Sequence, residues 1–161
     1  MLKRHLLWTG LALFLLAGGL RFTRLDRWSF GPDEIGSFWE VEIFRGQRVA
    51  EKNSPNAHVP AMIPVAMLVQ SAGHDLFGKD EFGSRAIHAL AGSLHIVVVF
   101  FLLAMLLSYP AALMTAVLLM LAPAHLFHSQ YHRFYMLGLL FVSCCQLLGA
   151  LALEKRSLFC T

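Results

Sequence analysis

From Ala86 to His132 the chain carries no Asp, Glu, Lys or Arg. As one helix at 1.5 Å per residue, that stretch would measure roughly 70 Å, more than twice the hydrocarbon thickness of a bilayer. It must fold back, and Ser108-Tyr109-Pro110 is the natural turn. A second uncharged run, Phe134 to Leu153, is long enough to span a membrane by itself. Composition agrees with lipid as the solvent. Hydrophobic residues make up 57% and charged residues only 14%, where about 25% charged is usual for soluble domains. The chain reads as an integral, multi-pass, all-α membrane protein in one module, because helices satisfy their own backbone groups in lipid.

The net charge of +3 is small, and the basic residues form no patch interleaved with aromatics. Nucleic-acid binding is therefore excluded. Cys144 and Cys145 are adjacent within an apolar run and Cys160 stands apart, which gives neither a disulfide framework nor a zinc site.

Four spans are expected. Residues 6–20 form the first span or anchor, between Lys3-Arg4 and Arg21, with Trp8 and Arg21 as interfacial anchors. A signal peptide is the rival reading of this run, since Ala17-Gly18-Gly19 offers small residues. Residues 86–107 and 111–123 form the second and third spans, and 134–153 the fourth. The third is short unless it continues past Pro123 as a kinked helix. Lys3, Arg4, Lys155 and Arg156 then all lie on the cytoplasmic side, as the positive-inside rule requires. Residues 21–85 become a long outer loop, on the same face as 124–133.

Within that loop, Pro32-Asp33-Glu34 is a good helix start, with proline in the first turn and acids at the positive end of the dipole. Ile35, Phe38, Trp39 and Ile43 follow on one helical face, while Glu40, Arg45 and Gln47 keep off it. Periodicity alone leaves two readings open: a helix lying on the membrane surface, or one packed on its own domain. Val59 to Ala72, interrupted by Pro60 and Pro64, suits a re-entrant or interfacial helix better than a crossing.

The polar residues that could carry chemistry gather on the outer face: Asp33, Glu34, His58, Arg85, and Ser129, Gln130, His132, Arg133 and Tyr135. Polar groups at membrane depth usually face a cavity or a partner. A carboxylate can take the proton of an attacking hydroxyl, and an arginine can hold a lipid phosphate through paired bonds. Each residue also has an ordinary explanation. The acids can simply start a helix, the arginines can snorkel at span ends, and Tyr131 and Tyr135 can belong to an aromatic belt. His125, His128 and His132 share one helical face, as zinc ligands or as interfacial histidines with no metal.

The order of these pieces resembles the N-terminal part of the type-C fold, lipid-phosphate-sugar-dependent glycosyltransferases. The similarity is strongest to the protein-mannosyltransferase-like and aminoarabinose-transferase-like branch. It rests on Arg24 ahead of Asp33-Glu34, on His58-Val59-Pro60, and on Leu76-Phe77-Gly78 with Arg85 opening the second span. Ala122-Pro123, Ser129-Gln130 and Arg133-x-Tyr135 complete it, so that residues 20–150 are covered. The resemblance implies a sugar donor on a polyprenyl or dolichyl phosphate, and a hydroxyl or amine acceptor on a lipid, glycan or protein. By the same likeness Asp33 is the catalytic acid position. Glu34 supports it or helps hold a divalent metal where one is used. Arg133 and Arg85 steady the leaving phosphate, and His58, Tyr135 and Gln130 contact substrate. Tyr131-His132 depart from the family's pattern. Family members are much longer, so a truncated chain, or one completed by a second chain, is expected. The competing expectation is a non-catalytic membrane fragment or small subunit that binds a lipid phosphate or a partner protein. A transporter fragment fits less well, because its polar groups should line the midplane.

Overall fold

The computed structural model describes residues 4–49 and 63–159, with side chains described through Glu154. Among the described residues seven helices run in order: α1 (Arg4–Phe22), α2 (Pro32–Phe44), α3 (Pro64–Phe77), α4 (Glu81–Leu106), α5 (Tyr109–Leu121), α6 (Pro123–Ser129) and α7 (Tyr135–Phe159). No strand occurs among the described residues. Among the described residues three helices are long and apolar enough to cross a membrane: α1, α4, and α7 over Tyr135–Glu154. The pair α5 and α6, bent by 63° at the break, makes a fourth if it is counted as one broken span. The architecture is that of an all-α membrane protein.

Local chemistry explains the helix ends. Pro32 opens α2, and the Glu34 side chain reaches back to accept the Gly31 N–H at 3.1 Å, one half of a capping box. Asp80 caps α4 by accepting the Gly83 N–H at 2.8 Å. Helix α3 ends at Gly78, whose φ of 100° is a conformation that favours glycine. The break between α5 and α6 follows from Pro123, which has no N–H to continue the ladder. One boundary differs from the sequence reading: helix α4 starts at Glu81, so Arg85 lies inside it rather than at the end of a loop. The third run continues past Pro123 as the bent helix α6 to Ser129, the kinked continuation its short length called for.

Helix α4 is the axis of the bundle and packs against α1, α3, α5, α6 and α7. Leu13 and Ala17 of α1 meet Ile96 and Phe100 of α4, and Ala112, Ala116 and Met120 of α5, in the main core. Ala17, read as a small residue of a cleavage site, is one of these packing contacts. A second cluster joins Ala91 to Met136 and Leu137. At Gly92 of α4 an added Cβ would collide with Ser129 of α6.

Buried polar groups stitch five of these helices together. Arg21, expected to snorkel, is fully buried in the last turn of α1. It donates to the carbonyls of Ala17 (3.3 Å) and Met120 (3.4 Å) and to His125 Nδ1 at 2.8 Å. His125 Nε2 lies 2.9 Å from His95 Nδ1, and His95 Nε2 lies 3.0 Å from Ser143 Oγ. A guanidinium can only donate, so it fixes the direction of every bond along this chain. His125 accepts from Arg21 and donates to His95, which donates to Ser143.

Candidate active site

The loops that join α1 to α2 and α6 to α7 meet the first turns of α4 at one end of the bundle, and Glu34 is the point they share. Its carboxylate is buried and faces Arg85 of α4 as a fork: Nε to Oε1 at 2.8 Å and Nη2 to Oε2 at 2.7 Å. The same carboxylate accepts the backbone N–H of His132 at 2.9 Å. Burial alone would raise its pKa. The bonds from Arg85, His132 and Gly31 outweigh burial and hold it below the ordinary carboxylate value. Arg85 has no donor to spare. Beyond Glu34 its guanidinium donates to the carbonyls of Leu25 (2.6 Å), Trp28 (2.8 Å) and Ser29 (3.4 Å), which uses all five N–H groups.

Asp33 is different. Its side chain is 70% exposed and lies 3.6 Å from Nη2 of the part-exposed Arg133. Arg133 in turn stands 3.9 Å from Glu40, which is buried. Burial raises the Glu40 pKa, and the nearby Arg133 charge opposes it only in part. The Tyr131 hydroxyl sits beside Gly31. Burial, with the charges of Asp33 and Glu34, raises its pKa further above the ordinary value and keeps it protonated.

His132 is buried between three elements. Its Nδ1 donates to the Ser84 carbonyl at 2.9 Å and lies 3.2 Å from His88 Nε2, while its ring stacks on His74 at 5.4 Å. Burial, then the nearby His74, pushes its pKa down to about 4, so it is neutral at pH 7. His74 is shifted down as well, first by burial and then by Arg45.

The other sequence candidates are placed as follows. Gln130 caps the end of α1, donating to the carbonyls of Leu20, Arg21 and Thr23 at 3.0–3.4 Å. Tyr135 is exposed, with its ring against His128. His58 lies outside the described residues. His125, His128 and His132 do not converge, because α6 stops at Ser129 and the helical spacing is broken before His132. Among the described residues no group of three or more His, Cys, Asp or Glu could hold a metal ion. Both oxygens of Glu34 are already engaged, so the Asp33–Glu34 pair does not fit a divalent cation.

Sequence reasoning did not single out Ser37 or His74, and it placed Glu40 only as a polar residue off the apolar stripe. All three are buried here. The available signal was the one-turn spacing from Glu34 through Ser37 to Glu40, on the side of α2 away from Ile35 and Trp39.

The fold defines a multi-pass membrane protein with an exposed carboxylate facing an arginine at one end of its bundle. A family model described as dolichyl-phosphate-mannose-protein mannosyltransferase matches residues 37–160. The match covers more than half of the chain, which belongs to this family of membrane glycosyltransferases of the mannosyltransferase type. The matched segment includes Arg85 and Arg133 and starts just after Asp33 and Glu34. No curated protein and no solved structure matches the chain.

Proposed function

We propose that this chain carries the acceptor-activating end of a glycosyltransferase. It would move a hexosyl or pentosyl group from a polyprenyl- or dolichyl-phosphate donor to an acceptor on the outer face of the cell or inner membrane. The observation that carries this reading is the pairing of exposed Asp33 with part-exposed Arg133 at 3.6 Å. The base and the phosphate-binding cation required for such a transfer stand side by side, with solvent access to both.

In this mechanism Asp33 takes the proton of the acceptor hydroxyl or amine as that atom attacks the anomeric carbon. The bond from the anomeric carbon to the phosphate oxygen breaks, and Arg133 steadies the charge that develops on the leaving lipid phosphate. Attack opposite the phosphate inverts the anomeric centre. Glu34 and Arg85 support the base without touching substrate. Their fork fixes the first turn of α2, so Asp33 projects from a rigid helix start. By family likeness Tyr135 and His58 contact substrate, while Gln130 holds the end of α1.

The test uses membranes containing the full chain and radiolabelled dolichyl-phosphate mannose. Asp33→Asn should abolish sugar transfer while the protein still inserts in the membrane. Unchanged transfer would overturn the assignment of the base. The second reading, a non-catalytic membrane subunit that binds a lipid phosphate or partner protein, draws on the internal use of Glu34, Arg85 and Gln130. It predicts that substitutions at Asp33 and Arg133 alter stability alone.

A further inference from the structure

The contact between Asp33 and Arg133 does not set its own length. It joins an exposed carboxylate to a part-exposed guanidinium across 3.6 Å, and pairs of that kind contribute about 0–1 kcal/mol. That is too little to hold two separate pieces of chain in place, so their spacing is fixed elsewhere. One link is the Glu34 carboxylate, which accepts the His132 N–H at 2.9 Å. It ties the residue after Asp33 to the residue before Arg133. A single bond leaves a broad choice of angle at the acceptor oxygen, and the segment could still turn about it.

A circuit of four rings removes that freedom. Between ring centres, Phe30 lies 5.9 Å from Phe38 and 6.2 Å from His132. His74 lies 5.3 Å from Phe38 and 5.4 Å from His132. All four separations fall in the range of about 4.5–7 Å where aromatic pairs attract. Helix α4 holds both histidines through one residue. Ser84 Oγ is 3.2 Å from His74 Nε2, and the Ser84 carbonyl accepts the His132 Nδ1–H at 2.9 Å. The next residue, Arg85, sets its guanidinium 5.5 Å from the centre of the Phe30 ring.

Phe30 and Phe38 flank Asp33 on its own piece of chain, and His132 directly precedes Arg133. Of the four rings, His74 alone comes from an element that carries neither member of the pair. It meets the Asp33 side at Phe38 and the Arg133 side at His132. We propose that His74 is a positioning residue for sugar transfer. By stacking on Phe38 and His132 it fixes the direction in which Arg133 leaves the chain, and so keeps the guanidinium within reach of Asp33. This role builds on the base and phosphate assignments above and names what keeps the two aligned.

Two variants of the full chain separate the ring from its hydrogen bond. His74→Phe keeps the ring and gives up the bond to Ser84, whereas His74→Gln keeps a polar reach toward Ser84 and gives up the ring. Spacing is read in lipid nanodiscs without substrate, as dipolar broadening between nitroxide labels on D33C and R133C, with Cys144, Cys145 and Cys160 replaced by serine. Broadening should match wild type in H74F and weaken in H74Q. Transfer from dolichyl-phosphate mannose is read in membranes containing the unlabelled chain. It should fall about 10–100-fold in H74Q, as for a misplacement near 1 Å, and H74F should restore most of it. Wild-type spacing in H74Q, equal loss of spacing in H74F and H74Q, or no broadening in wild type would overturn the positioning role. So would transfer in H74Q that does not follow its spacing, or an H74Q protein that fails to insert, which would make His74 a support of the fold. The expected spacing pattern with no transfer by wild type would instead overturn the base and phosphate assignments and leave the spacing role standing.

Discussion

The Arg85 guanidinium and the Glu34 carboxylate meet edge to edge, both buried, through two bonds of 2.8 and 2.7 Å. The remaining guanidinium donors hold the carbonyls of residues 25, 28 and 29. One ion pair thereby ties α4 to the start of α2 and to the chain that precedes it. Through the His132 N–H it also ties them to the segment before α7.

Removing one partner should be severe. Arg85→Ala leaves a buried carboxylate without its cation, a loss of about 3–5 kcal/mol for a broken buried pair. Arg85→Lys should rescue little, since a point ammonium cannot reproduce the fork and three carbonyl contacts. Thermal unfolding in detergent, followed by tryptophan fluorescence, checks both. A lysine variant as stable as wild type would contradict this account.

The pair also sets an acid limit. The folded pKa of Glu34 is depressed, so its contribution to stability is complete above the unfolded carboxylate value of about 4.3. It is lost as pH falls through the lower folded value. His132 acts in a higher window. Its folded pKa of about 4 lies below the ordinary 6.5, so the unfolded chain gains a proton first as pH drops between these values. That difference corresponds to a loss on the order of 3 kcal/mol. Melting temperature should fall from pH 6.5 to 4, and His132→Gln should flatten the slope there while the Glu34 loss at lower pH persists.

Asp33 should behave in the opposite way. Its contact with Arg133 is solvent-exposed and long, and such pairs contribute about 0–1 kcal/mol. Asp33→Asn is therefore expected to melt within about 2–4 °C of wild type, while transfer falls by a factor on the order of 100 or more. A large drop in melting temperature would make Asp33 a structural acid.

At Gly92 there is no room for a side chain between α4 and Ser129 of α6. Gly92→Val should force the helices apart and cost about 1–3 kcal/mol or more by overpacking, whereas Gly149→Ala, where an added Cβ meets nothing, should be neutral or slightly stabilising. Parallel melts of the two variants decide this.

Much of the scaffold was readable beforehand because lipid imposes simple rules. The fold-back at Ser108-Tyr109-Pro110, the break at Pro123 and the helix start at Pro32 all follow from charge-free runs and proline. What periodicity did not fix was which side of α2 faces the protein. It buries Glu34, Ser37 and Glu40 and leaves Ile35 and Trp39 exposed, the reverse of a helix in water, where the apolar stripe is the buried one. Arg21 and Arg85 looked like ordinary snorkelling arginines, since sequence does not show which carbonyls converge on them. The histidine spacing misled in one respect: it presumed a helix through His132, and α6 ends sooner.

Arg21 has a consequence for how the molecule is made. Its charge rests against the carbonyl ends of α1 and α5 at once, the negative poles of two helix dipoles. Met120 and His125 come from far later in the chain, so a newly inserted α1 has only water or headgroups to solvate this cation. The guanidinium can leave the membrane surface for the interior only after the broken helix arrives. The buried position of the first helix's end thus depends on the broken helix, which supplies two of the three partners of Arg21.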